Sequence, residues 1–144
     1  CDTGETMVGY FGQATYNDPQ PFDFATDAAP DAVVINLGTN DYHGTPPAGF
    51  DALFTATYVA FMRNITVAYA APNITFFCAV GPITDAYLNA TLAAVAQATT
   101  AGIHAVYLDV TAAPCDGCAG HPGVAGHAAM AALAQPVIAA HMGW

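Results

Sequence analysis

The chain has 144 residues, 55% of them hydrophobic and only 8% charged, with a single cation, Arg63, and a formal net charge of −10. That length makes one domain or most of one, with a sizeable core. The charge balance excludes nucleic acid and disfavours anionic membrane surfaces, because phosphate binding needs the Lys and Arg that are missing.

Residues 1 to 30 mix Gly, Asn, Asp and Pro with Tyr10, Phe11, Tyr16, Phe22 and Phe24 but show no period. They read as an irregular lead-in with one short helix around Thr6 to Tyr16. Ala32 to Leu37 is a β-branched apolar run that predicts a strand buried on both faces. Gly38 closes it, and polarity flips at once to Thr39, Asn40 and Asp41. Open parallel sheets bind ligands at that end of their strands. Residues 44–47 form a loop.

From about Phe50 to Tyr69 the residues Phe54, Tyr58, Phe61, Met62 and Ile65 recur at helical spacing, so this is an amphipathic helix with an aromatic core face, ended before Pro72. Ile74 to Val80 predicts a second buried strand, stopped by Gly81-Pro82. Thr84 or Asp85 is a candidate cap for a helix running to about Thr100, with Gly102 as terminator. Ala105 to Val110 predicts a third strand, and Thr111 to Gly123 a loop dense in Gly, Pro and Cys. A last helix runs from about Val124 to His141, kinked at Pro136, with Met130 and Leu133 on its core side.

Strand and helix thus alternate three times, which predicts an α/β fold: a parallel sheet with helices on both faces, joined by right-handed crossovers. There is no internal repeat or low-complexity linker. No uninterrupted apolar run reaches the ~18 residues of a spanning helix.

Asn64, Asn73 and Asn89 each open an N-x-T sequon. Three acceptors in a chain this short predict a secreted, extracellular glycoprotein whose N-linked glycans supply the solubility that few charges do not. Asn73 precedes a strand, which puts a glycan there at the rim opposite the polar loops. The four cysteines, Cys1, Cys78, Cys115 and Cys118, permit three pairings. Cys1 suits a tether to a preceding segment, and a bridge from Cys78 to Cys115 or Cys118 would staple the last loop. The sequence contains no Ser at all.

The second polar cluster, Cys115 to His127 (CDGCAGHPGVAGH), belongs on the loop after the last strand, at the same rim as Gly38 to His43. Cys115, Cys118, His121 and His127 have zinc-like spacing. Secreted thiols tend to be oxidised, however, and His127 fits the first turn of the last helix equally well, so no metal or other cofactor is assigned. A nucleophilic Cys118 beside His121 would have to escape disulfide pairing. His104 and His141 read as ordinary surface or partly buried residues.

Two stretches carry a family resemblance. FDFATDAAPDAVVINLGTND is similar to the strand and G-x-N-D block of the SGNH (GDSL-type) hydrolases, and GCAGHPGVAGHAAMA to their His-Pro block; within the superfamily the chain resembles carbohydrate esterase family 2 acetylesterases, from about Gly4 to Gly143-Trp144. The resemblance implies a three-layer, flavodoxin-like α/β/α domain acting on an acetylated glycan or another ester. It implies that Asn40 donates to the oxyanion and that His121 is the general base. Asp41 would hold the loop, and Gly38, Tyr42 and His43 would line the substrate site.

Two departures matter. Cys118 stands where the superfamily has an Asp, which leaves Asp116 or a backbone carbonyl to orient the imidazole. The G-D-S block is absent, and with it the Ser nucleophile, the first strand and an oxyanion Gly. The resemblance therefore implies that residues 1–144 are the carboxyl-terminal part of one such domain, completed by an amino-terminal fragment or a second chain. Alone, the chain would be inactive. The competing expectation is a catalytically inactive module, structural or carbohydrate-binding, of a secreted glycoprotein or fibre.

Overall fold

The computed structural model describes residues 6–15 and 18–144. Cys1, Gly4 and Tyr16 lie outside the described residues, and with them the tether expected at Cys1.

The strands of the main sheet lie between Ala32 and Asp109. Strands β3 (Ala32–Ile35), β4 (Thr75–Val80) and β5 (His104–Asp109) pair in parallel in the order β3-β4-β5. The register sets Ile35 beside Cys78, and Cys78 beside Tyr107. Helices α2 (Phe50–Ala68) and α3 (Leu88–Thr100) make the two crossovers and cover one face, while α4 (Val124–Met142) lies on the other. The three-layer α/β/α architecture holds.

Side-chain alternation along β4 divides the core. Phe76, Cys78 and Val80 point to the α2/α3 side with Phe54, Tyr58, Met62, Ile65 and the alanines of α3. Phe77 and Ala79 point to the α4 side with Leu108, Met130, Leu133 and Ile138. Helix α2 buries the five residues its spacing singled out.

The α4 face is the thinner one. By length and composition Cys118–Met142 is apolar enough to cross a membrane, yet here α4 packs one side along the sheet. It runs unbroken through Pro136 instead of ending there. The carbonyl that this proline cannot serve belongs to Ala132, which is exposed. Strand β3 also departs from expectation. Val34, in register with Phe77, is 52% exposed, so β3 is buried on one face only. It is an edge strand, with β4 as its sole partner among the described residues.

The lead-in is more ordered than its composition suggests. A short α1 (Met7–Tyr10) is capped by Thr6, whose Oγ1 accepts from Gly9 N at 3.2 Å. An antiparallel hairpin follows, β1 (Gln13–Thr15) with β2 (Asp18–Pro21). Phe11 and Phe24 then pack edge-on against Phe61 of α2 and Tyr69 just beyond it, respectively.

Two local expectations fail on hydrogen bonding. Thr84 Oγ1 accepts from Ala86 N at 3.1 Å and so closes a turn rather than capping a helix; α3 begins at Leu88, after Tyr87. Cys78 forms no disulfide with Cys115 or Cys118, and all three are free. Its Sγ lies 4.0 Å from Met62 Sδ inside the α2/α3 core, and burial pushes the thiol up to about 12. Among the described residues one buried side-chain polar atom is left orphaned, Thr91 Oγ1 in that core. An unsatisfied buried hydroxyl costs about 1–3 kcal/mol.

Candidate active site

The parallel register brings the loops after β3, β4 and β5 to one rim, the carboxyl end of the sheet. The first of them is clamped from below. Gly38 has φ 130°, and a Cβ there would stand 2.6 Å from the Tyr87 ring. The space a side chain would take is filled by that ring, not left open to a ligand. Tyr87 is fully buried, and its hydroxyl accepts from Gly81 N at 3.0 Å and donates to Asn36 Oδ1 at 3.3 Å. Asn36 Nδ2 in turn donates to Gly81 O at 3.1 Å, and Thr39 Oγ1 lies 3.4 Å from the same Tyr87 oxygen.

This polar knot ties the end of β3 to the end of β4. Above it the chain turns twice, through Tyr42 N to Gly38 O and His43 N to Asn40 O, at 3.0 and 3.3 Å. Asn40, Asp41 and His43 stand exposed at the crest. Tyr42 does not. It is buried, edge-on to Phe50 and Phe54, and its hydroxyl donates to Asp51 Oδ1 at 2.7 Å. Burial first, and then Asp51, raise its pKa. A ring packed in this way pins the loop to the first turn of α2 and offers no face to a sugar.

The loop after β5 is built differently. It leaves the sheet where Gly81, φ 101°, presses so close that a Cβ would meet Thr111 Cα at 2.7 Å. Asp109 Oδ1 accepts from Thr111 Oγ1 and N at 2.7 and 2.9 Å, which holds its carboxyl below the usual range. Further on the backbone folds on itself, Gly117 N to His121 O at 2.7 Å and His121 N to Cys118 O at 3.1 Å.

The His121 ring is exposed, with Nδ1 3.2 Å from Ala119 O and 3.3 Å from Cys118 O. Carbonyls only accept, so these contacts put a proton on Nδ1, and among the described residues nothing hydrogen-bonds Nε2.

Asp116 does not orient this imidazole. Its Oδ1 accepts from Gly123 N at 2.8 Å, the residue that opens α4. That bond holds its carboxyl below the usual range, with the Gly126 amide and His127 adding to the effect. Asp116 is thus a helix cap, and the carbonyls of Cys118 and Ala119 do the orienting. His127 sits exposed in the first turn of α4. Among the described residues no three His, Cys, Asp or Glu side chains come together as a metal site.

Two hollows lie elsewhere. One runs along α4 beside Ile138 and Trp144, the other at the amino end of β4 and β5 beside His104 and His141. Asn40 and His121 belong to neither hollow but to the rim. Sequence reasoning missed Tyr87 and Asn36. The signal for Asn36 was present, an amide inside an otherwise apolar strand.

A parallel sheet with an amide-bearing loop after one strand and an imidazole-bearing loop after another defines a class. Carbohydrate esterase family 2 enzymes are among the structural neighbours of this chain, which shares its fold with them and with two further esterases. A carbohydrate esterase family 2 enzyme plus carbohydrate binding domain from Corynascus thermopiles (Myceliophthora fergusii) superposes with a TM-score of 0.85 at 31% identity, over 99% of this chain and 47% of that one. A family two carbohydrate esterase from Cellvibrio japonicus matches with a TM-score of 0.71 at 25% identity, over 90% and 38%. An acetyl xylan esterase from Butyrivibrio proteoclasticus shares the fold at 18% identity, with a TM-score of 0.67 over 88% and 40%. The chain therefore spans less than half the length of each of these structures. No protein-family model and no curated protein matches the sequence.

Proposed function

We propose that this chain is the carboxyl-terminal part of an extracellular, SGNH-type carbohydrate acetylesterase whose Ser nucleophile comes from another segment. The observation that carries the reading is the His121 ring, exposed and held by Nδ1 against two carbonyls so that Nε2 is free to take a proton.

In this reading a Ser hydroxyl brought to the rim gives its proton to His121 Nε2 and attacks the acetyl carbonyl. The Asn40 amide donates to the oxygen that becomes negative, a contribution of about 3–4 kcal/mol for one such donor. Collapse of the intermediate expels the sugar oxygen, which takes the proton back from His121. Water then repeats the cycle on the acyl-Ser and releases acetate. Asp116 has no part in the proton transfer.

The free edge of β3 and the exposed Val34 suit pairing with a further strand, and that strand is where the Ser would arrive. The exposed Asn64, Asn73 and Asn89 suit glycosylation during secretion. The absence of Ser from this chain favours a second reading, a carbohydrate-binding or fibre-forming module with no turnover.

Acetate release from acetylated polysaccharide by the native protein, with and without a serine-directed phosphonate, separates the two. The esterase reading expects release that the phosphonate abolishes. No turnover from an intact, folded sample overturns it in favour of the binding module.

A further inference from the structure

Thr91 is where the α2/α3 core breaks its own pattern. The inward row of α3 is otherwise small and apolar, with Ala90, Ala94 and Ala98 all buried. Other threonines of this helix pair satisfy their hydroxyls: Thr99 and Thr100 donate to Val95 O and Ala96 O at 2.9 Å, and Thr55 of α2 donates to Ala90 O at 3.1 Å. Thr91 Oγ1 is fully buried and has no partner. Packing alone explains an Ala or a Val at this position, not a hydroxyl.

The neighbouring sequence supplies a reason. Thr91 is the hydroxyl residue of the sequon Asn89-Ala90-Thr91, and Asn89, on the outer side of the same turn, is exposed. A sequon is read on an extended chain, before its helix forms. The hydroxyl therefore acts before folding and is a spectator after it, which accounts for a buried hydroxyl without a partner. The three sequons also differ in place. Asn64 lies near the end of α2, and Asn73 just before β4, both toward the amino-end rim. Asn89 opens α3 two residues after Tyr87, at the rim that carries Asn40 and His121.

We infer that Asn89 carries an N-linked glycan standing at the edge of the candidate active site, and that Thr91 is kept in the core as the second half of that acceptor. The step joins Asn89 Nδ2 to the anomeric carbon of an oligosaccharide carried on a polyprenyl pyrophosphate. The bond from that carbon to the pyrophosphate oxygen breaks, the lipid pyrophosphate leaves, and the amide loses a proton. The inference rests on the secretory part of the reading above and not on its catalytic part.

Peptide mass mapping of the full-length protein from a eukaryotic secretory host, before and after a glycan amidase, tests it directly. Asn89 is expected to be occupied, and to be converted to Asp by the amidase. Thr91→Ser keeps the glycan. Thr91→Val loses it and, compared with enzymatically deglycosylated parent protein, melts about 2–4 °C higher because the orphaned hydroxyl is gone. Asn89→Gln, an exposed change, loses the glycan without that gain. An unmodified Asn89 in the secreted protein overturns the inference, as does a Thr91→Val variant that melts lower than the deglycosylated parent. Neither result depends on whether the protein releases acetate.

Discussion

The two loops at the carboxyl rim reach the same surface by opposite means. The Asn40 loop is clamped by residues far along the chain, Tyr87 under Gly38 and Gly81 bonded to Asn36, with a nearer tie from Tyr42 to Asp51. The His121 loop is held by its own backbone and by Asp116 capping α4. In the proposed reading the Asn40 amide and the His121 imidazole must both be held within about 0.5 Å of the productive geometry. A long-range clamp holds the first and a local turn the second.

The difference predicts how each loop breaks. Asn40→Ala, an exposed truncation, should cut kcat for acetate release by the full protein about 10²–10³-fold. Its stability should stay within about 0.5 kcal/mol of the parent. Gly38→Ala forces a Cβ into the Tyr87 ring at positive φ, and chemical denaturation should report a loss of about 3 kcal/mol. Tyr87→Phe leaves Gly81 N without its acceptor; we expect about 1–2 kcal/mol lost. Its kcat should fall about tenfold with KM unchanged, since the amide is misaimed while the sugar contacts remain.

The smallest effect belongs to the local loop. The folded-state pKa of Asp116 is lowered, so its cap stabilises fully above the ordinary carboxylate value and is lost as pH falls through the folded value. Hydrogen exchange at Gly123 should therefore quicken below about pH 4, and Asp116→Asn should remove that dependence. If Asp116→Asn destabilised the whole domain as much as Gly38→Ala, the contrast between the loops would be wrong.

Much of this layout was legible in the sequence because periodicity is a local signal. The aromatics of α2 and the apolar runs of the three strands announce the elements themselves. What depends on partners was not legible. Val34 looks like any core valine, and only the edge position of β3 exposes it. Asp116 is five residues from His121 and seven from Gly123; the direction of the intervening backbone decides which one it meets. Strand parity turns Cys78 toward Met62 and away from the loop it was expected to staple. The β1–β2 hairpin hides behind Pro19 and Pro21 and an irregular register. Nothing in the sequence around Tyr87 announces its contacts with Asn36 and Gly38.

The most direct test is acetate release by the full-length protein carrying His121→Ala, with melting measured alongside. The account predicts a loss of at least about 10³-fold in kcat with the melting temperature unchanged, because the ring is exposed and hydrogen-bonds to carbonyls of its own loop. Undiminished acetate release from that folded variant would contradict it.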